Sequence, residues 1–209
     1  MRFDMDKVTT AVAYKLLAAS VIPRPIAWVV SQDKAGKVNA APFSFFNAMG
    51  SNPPTVAIGL LADPVRGFKD TAKNVLETGE FVINLVPERL VEAMNITAVD
   101  APNGMNELEL AGLETLPSEF IKPPRIVDSP VAFECVSLNS VVTGPQQTIV
   151  IGRVLAVHIH DQYVLDAENG YLDTKGFDLV ARSFGSEYVR TKDTFNLDRP
   201  KWSDRDAKA

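Results

Sequence analysis

RPIAWVVS (residues 24–31), VNAAPFSFFN (38–47), NPPTVAIGLL (52–61) and RGFKDTAKN (66–74) succeed one another between Arg24 and Asn74, and their order decides the fold. Ile26–Val30 and Thr55–Leu61 are apolar runs of strand length. Between them lie small and hydroxyl residues ending in Ser44, Phe45, Phe46 and Asn47. A basic, hydroxyl-bearing segment with Arg66, Lys69 and Thr71 follows the second run. Ala40 and Ala41 would let a flat ring approach strand backbone closely, and Phe45 or Phe46 would supply an aromatic wall. Ser44 and Asn47 carry groups that reach polar ring or chain atoms. Lys69 and Arg66 offer charge-assisted hydrogen bonds to an anion, and Thr71 adds a hydroxyl. Amides opening a helix over residues 69–78 would aim at the same anion. The combination describes a site for a flat ring with an anionic tail.

Each residue taken singly has a plainer role. Phe43, Phe45 and Phe46 suit a core, Lys69 and Arg66 suit a solvated surface, and Asp70 suits a helix cap or first-turn acid. The ordered combination carries the ligand reading, not any one member.

Outward from this stretch the pattern stays β-rich. Residues 8–19 (VTTAVAYKLLAA) predict a short helix that Ser20 and Pro23 stop. Residues 38–43 pair with the first run through the loop Asp33-Lys34-Ala35-Gly36. Pro53-Pro54 breaks the chain, Asp63-Pro64 and Gly67 mark a loop, and Gly79 sits where the helix over 69–78 ends. Phe81–Val86 resumes strand character, and a second helix is expected over residues 87–95. Residues 97–126 read as an irregular excursion over the barrel surface. Two long strands, 131–142 and 148–160, flank a turn at Thr143–Gln147. From Tyr163 the chain is polar and turn-rich, with ARSFGSEYVRT as its one distinctive piece, and about residues 200–209 form a loose tail. The expectation is one mainly β domain over residues 1–209, a β-barrel with peripheral helices.

The 209 residues are 46% hydrophobic and 22% charged, with a net charge of −5. That balance excludes a disordered chain, and a broad electrostatic footprint for nucleic acid or an anionic membrane. No apolar stretch reaches the ~20 residues of a membrane span, and MRFDMDKVTT carries no long apolar core of the signal-peptide kind. A cytoplasmic protein is expected. Cys135, the single cysteine, cannot form an intrachain disulfide and reads as a small buried hydrophobe. His158 and His160 share one face of a strand, but only Asp161 accompanies them, so no metal site is expected.

The motifs together resemble the flavin reductase-like family, whose members adopt an FMN-binding split β-barrel. The matching pieces are Pro23-Arg24-Pro25-Ile26-Ala27, Asn39 to Asn47, Pro53-Pro54, Lys69-Asp70-Thr71 with Asn74, Phe81 to Asn84, and Ser129 to Cys135. Arg182, Gly185 and Tyr188 are similar to a late motif that closes the site, which makes Arg182 and Tyr188 further implied cofactor contacts. The resemblance implies a flavoprotein oxidoreductase that binds FMN in preference to FAD. It also implies a homodimer and hydride transfer from NADH or NADPH to the flavin, with a monooxygenase component or another acceptor downstream. The implied cofactor contacts are Ser44, Phe45, Phe46 and Asn47 for ring and ribityl chain, and Arg66, Lys69, Asp70 and Thr71 at the phosphate. Trp28 would lie near the ring through the partner strand. Arg24 would serve the phosphate or the interface, or else form an ion pair at the barrel rim. No protein nucleophile is called for. One departure stands out: Gln146-Gln147-Thr148 occupies a place where short-chain reductases often carry a histidine. RPIAWV and APFSFFN are closer to the flavoredoxin-like branch. The alternative function is therefore an FMN-binding electron carrier that does not oxidise nicotinamide.

Overall fold

The computed structural model describes residues 1–62, 67–101 and 105–202. Arg66, the Asp63-Pro64 loop and the tail from residue 203 lie outside the described residues. The chain opens with α1 (Thr10–Ser20), whose N-cap Thr9 accepts from the amide of Val12. The strands β1 (Ala27–Gln32), β2 (Val38–Phe43), β3 (Phe46–Ser51) and β4 (Pro54–Leu61) follow. Next come α2 (Asp70–Thr78), β5 (Glu80–Asn84), a 3-10 turn (Glu88–Leu90) and α3 (Val91–Ile96). The excursion contains α4 (Glu107–Leu110) and the short pair β6 (Thr115–Leu116) and β7 (Arg125–Ile126). The long strands β8 (Val131–Gly144) and β9 (Gln147–Ile159) precede β10 (Val164–Asp166), β11 (Tyr171–Leu172), β12 (Val180–Arg182) and β13 (Tyr188–Arg190).

Seven strands form an antiparallel sheet in the order β2-β1-β5-β8-β9-β4-β3. Its two edges, β2 and β3, are consecutive in sequence and joined only by Ser44 and Phe45, so the sheet curls back on itself. The amide of Gly59 on β4 donates to the Phe45 carbonyl at 2.7 Å, which ties the join to the opposite edge. A side chain at Gly59 would place its Cβ 3.0 Å from that of Phe45, so this close approach demands glycine. Register shifts at Glu134/Cys135, Ser137/Asn139 and Val142/Gly144 interrupt the β8–β9 ladder. Such bulges bend a strand, which lets strands of this length follow the curvature.

β1 and β5 are buried on both faces, which explains their unbroken apolar runs AWVV and FVI. Trp28, Val30 and Val82 face one core cluster with Met94 of α3 and Leu108 of α4. Ala27, Val29 and Ile83 face the other, with Val56, Ile58 and the α2 residues Ala72 and Val75. Asn84 fastens the sheet to the excursion: its side chain donates to the Trp28 carbonyl and accepts from the Ile126 amide. Gly79, left-handed at φ 73°, ends α2 as its position in the sequence predicts.

The sequence does not reveal β3. Phe46–Ser51 is largely exposed and lacks the apolar alternation that marks its neighbours. The helix expected over residues 87–95 is a 3-10 turn followed by α3 at Val91–Ile96. Among the described residues no helix is long and apolar enough to cross a membrane.

Candidate functional site

The join between β2 and β3 opens onto a cleft of about 870 Å³. Ala41, Pro42 and Phe43 of β2 bring strand backbone to its edge, and Ser44 and Phe45 continue that wall. Tyr14 of α1 packs against Phe45 with ring centroids 5.9 Å apart. Opposite them stand the first turn of α2 and residues 97–101. The slot is therefore aromatic and apolar along one side and polar at its end.

That end is the start of α2. Lys69 is the N-cap residue, in an extended conformation and without a side-chain capping bond. The helix dipole adds positive potential at this end, where the first-turn amides have no intrahelical acceptor. Lys69 pairs with Asp100 at 3.4 Å, and Lys73 with Asp70 at 3.8 Å. Both pairs are solvent-accessible, so their net strength is small and an incoming anion can displace the acids.

A buried chain of side chains forms the floor. Thr71 donates to Asn39 Oδ1 at 2.5 Å, and Asn39 Nδ2 donates to Glu107 Oε1 at 3.3 Å. This orientation of the Asn39 amide follows from its neighbours, since only its nitrogen can satisfy the Glu107 oxygen. The Ala40 amide donates to Glu107 Oε2 at 3.1 Å. Burial pushes the Glu107 carboxyl above the ordinary range; the Ala40 amide opposes that shift, and the charge of Asp70 adds to it.

A second chamber of about 440 Å³ adjoins the first and shares Tyr14, Pro42, Phe43, Ser44 and Ala98 with it. Lys15, Arg24, Arg182 and Tyr188 line it. Arg182 lies over the Tyr188 ring, 4.6 Å from its centroid, and donates to the Tyr188 hydroxyl and the Gly185 carbonyl.

The structure brings Ser44, Phe45, Lys69, Asp70 and Thr71 to the larger chamber and Arg24, Arg182 and Tyr188 to the smaller. The other expected contacts sit apart from the cleft or have partners of their own. Trp28 is fully buried and reaches the cleft only through Thr97, whose hydroxyl accepts its indole N–H at 2.9 Å. Phe46 turns into the core and Asn47 is exposed on β3, so neither lines the cleft. The single hydroxyl proton of Thr71 is spent on Asn39, which makes its side chain an organiser of the floor. Among the described residues Arg24 forms no ion pair. Its guanidinium donates to the carbonyls of Ala18, Val21 and Ser183 and to Ser44 Oγ, stitching α1 to the join and to β12.

Sequence reasoning missed Tyr14, Lys73, Thr97 and Glu107. Lys73 was within reach, because it lies four residues from Lys69 and shares its helix face. Glu107 had no local signal in the irregular excursion. The remaining titratable groups lie elsewhere. His158 bonds the fully buried Glu134 at 2.7 Å, and His160 bonds the Val127 carbonyl at 3.0 Å. Burial opposes ionisation of Glu134, but the amides of Glu119 and Phe120, together with His158, hold its carboxyl below the usual range. Cys135 is buried, and burial together with the Glu134 charge raises its thiol far above the ordinary value.

Comparison with known proteins assigns this architecture. Nitrilotriacetate monooxygenase component B from Bacillus cereus superposes with a TM-score of 0.88 at 33% identity, covering 94% of this chain and 98% of that one. The 2-nitrobenzoate 2-nitroreductase NbaA of Pseudomonas fluorescens does so at 0.88 and 35%, covering 97% and 98%. A split-barrel-domain protein of Shewanella frigidimarina shares the fold at 0.81 and 21%, covering 96% and 100%. The flavin reductase like domain model matches residues 19–175, more than half the chain, and this chain belongs to the flavin reductase-like family of split-barrel proteins.

Proposed function

We propose that the larger chamber binds FMN and that the protein is an NAD(P)H-dependent flavin oxidoreductase. One observation carries the reading: an aromatic-walled slot that ends at the start of α2, with Lys69 and Lys73 beside it. Its volume, about 870 Å³, lies within the range of small-molecule sites, so the residues present fit a flavin mononucleotide. Lys69, Lys73 and the first-turn amides of α2 would hold the phosphate. Ala41 to Phe45 would line the ring. The chemistry FMN supplies when bound is acceptance and release of a hydride, which needs no protein nucleophile. The chain's own task is to bind, to orient and to limit water. Tyr14, Phe43 and Phe45 do this on one side, and residues 97–101 on the other.

The kinship with a monooxygenase component B supports delivery of reduced flavin to a partner oxygenase or another acceptor. A homodimer belongs to the same reading. Tyr14, Leu17, Val21 and Ile22 are exposed along α1 and just beyond it, next to the cleft that Tyr14 lines.

Titration of apoprotein with FMN, FAD and riboflavin tests the site. FMN should bind tightest, and equal or tighter FAD binding would overturn the single-phosphate reading. Anaerobic addition of NADH or NADPH should bleach the visible flavin band. Stable colour with both donors would instead leave an electron carrier. Sedimentation across a dilution series should show a dimer whose dissociation lowers FMN affinity.

A further inference from the structure

We propose that the smaller chamber is a subsite for small aromatic carboxylates, with Arg182 as the anion-binding residue. The chamber is lined by three cationic side chains, Lys15, Arg24 and Arg182, and by no carboxylate, in a chain whose net charge is −5. Among the described residues no acid forms an ion pair with Arg24 or Arg182. The two arginines are also direct antiparallel partners. The Arg24 amide donates to the Arg182 carbonyl at 2.9 Å, and the Arg182 amide to the Arg24 carbonyl at 2.8 Å. Side chains directly opposite on such a ladder lie on one face, and like charges there are destabilising. An anion held by Arg182 in this chamber would offset that cost.

The two guanidinium groups are not equivalent. Arg24 is buried, and its donors go to three carbonyls and the Ser44 hydroxyl. Arg182 is only half-buried, and two of its five N–H groups are engaged, by Tyr188 and Gly185. Tyr188 thereby holds a planar fork in place with donors to spare, which is the geometry that grips a carboxylate. Ile26, Phe43, Met94 and Phe184 give the chamber apolar and aromatic surface suited to a ring rather than a hydrated phosphate, and Ser44, Asn95 and Ser183 add polar edges. At about 440 Å³ the space suits a one-ring acid. Pro42, Phe43 and Ser44 wall both chambers, so a ring held here lies beside the proposed flavin slot. Its meaning as a substrate position rests on that flavin reading.

The test is calorimetric titration of FMN-saturated protein and of apoprotein with sodium benzoate, using benzamide as the neutral isostere. Benzoate should bind both forms, and benzamide at least tenfold more weakly. Arg182→Gln should weaken benzoate at least tenfold while FMN affinity changes far less, and Arg182→Lys should recover part of the loss. Lys15→Gln, on the exposed rim, should weaken benzoate by a smaller factor and guards against a folding defect in the first variant. No binding of benzoate, equal binding of benzamide, or an Arg182→Gln loss confined to FMN would each overturn the proposal. Benzoate binding that depends on Arg182 in a protein that does not bind FMN would uphold the subsite and sink the flavin reading instead.

Discussion

The two chambers share a wall but not a charge pattern. Lys69 and Lys73 face Asp70, Asp100 and Glu107 in the larger one, whereas the smaller sets Lys15, Arg24 and Arg182 against no acid. A mixed lining gives little net field, so selection in the larger chamber must come from placed donors: the start of α2 and the strand backbone at Ala41. A lining of one sign selects by charge before shape. The contrast locates the flat-ring reading in the first chamber and the anion reading in the second. It also separates the residues whose loss should affect one ligand from those whose loss should affect the other.

The largest effect should come from the first chamber's phosphate end. Lys69→Ala should weaken FMN binding by about ten- to a hundredfold, the ~1.5–3 kcal/mol of a charged hydrogen bond, and leave riboflavin nearly unchanged. Fluorescence titration with both ligands reads the difference, and equal losses would show that Lys69 only supports the loop. Gly59→Val strikes Phe45, next in the chain to the wall Pro42–Ser44 that both chambers share. A Cβ 3.0 Å from that of Phe45 must displace the join, at about 1–3 kcal/mol in urea unfolding, and both ligands should weaken together. A variant of wild-type stability would break the idea that the Gly59–Phe45 contact closes the sheet.

Glu107→Gln probes the floor. The folded carboxyl titrates above its unfolded value, so its contribution to stability is full below the unfolded pKa and is lost as pH rises through the folded one. Denaturation midpoints should therefore fall less between acid and neutral pH in the variant than in the wild type. An identical pH dependence would remove Glu107 from the account. Glu134 has the opposite sign: its stabilisation is lost as pH falls through its lowered pKa, so the two are separated by the acid limb. The smallest change should follow Trp28→Phe, which leaves the cleft lining intact and removes one buried bond to Thr97, about 1 kcal/mol. A large loss of flavin affinity there would return Trp28 to the site.

Most strand positions were legible because burial leaves a local mark. AWVV and FVI are apolar without interruption since both faces of β1 and β5 are covered. β3 left no such mark: most of it is exposed, and it is a strand because β4 pairs with it. Lys69 and Phe45 line the cleft because it opens where β2 ends and α2 begins, the two places the motif order singles out. Phe46 and Asn47 lie off the cleft lining for a related reason. Where the chain turns from the join into β3 decides which of four adjacent side chains face the cleft, and composition does not carry that information.

By itself the sequence determined the β-rich class, the two long strands, the capping of α2 at Gly79 and the family. These depend on period, turn chemistry and motif order, all of which are local. Only the tertiary structure decided that Glu107 lies under Asn39 and Thr71, that Arg24 is spent on carbonyls, and that Arg24 and Arg182 stand opposite each other. Apart from Arg24 with Ala18 and Val21, these partners lie tens of residues or more apart along the chain, and the closure of the sheet, not any local preference, brings them within bonding distance.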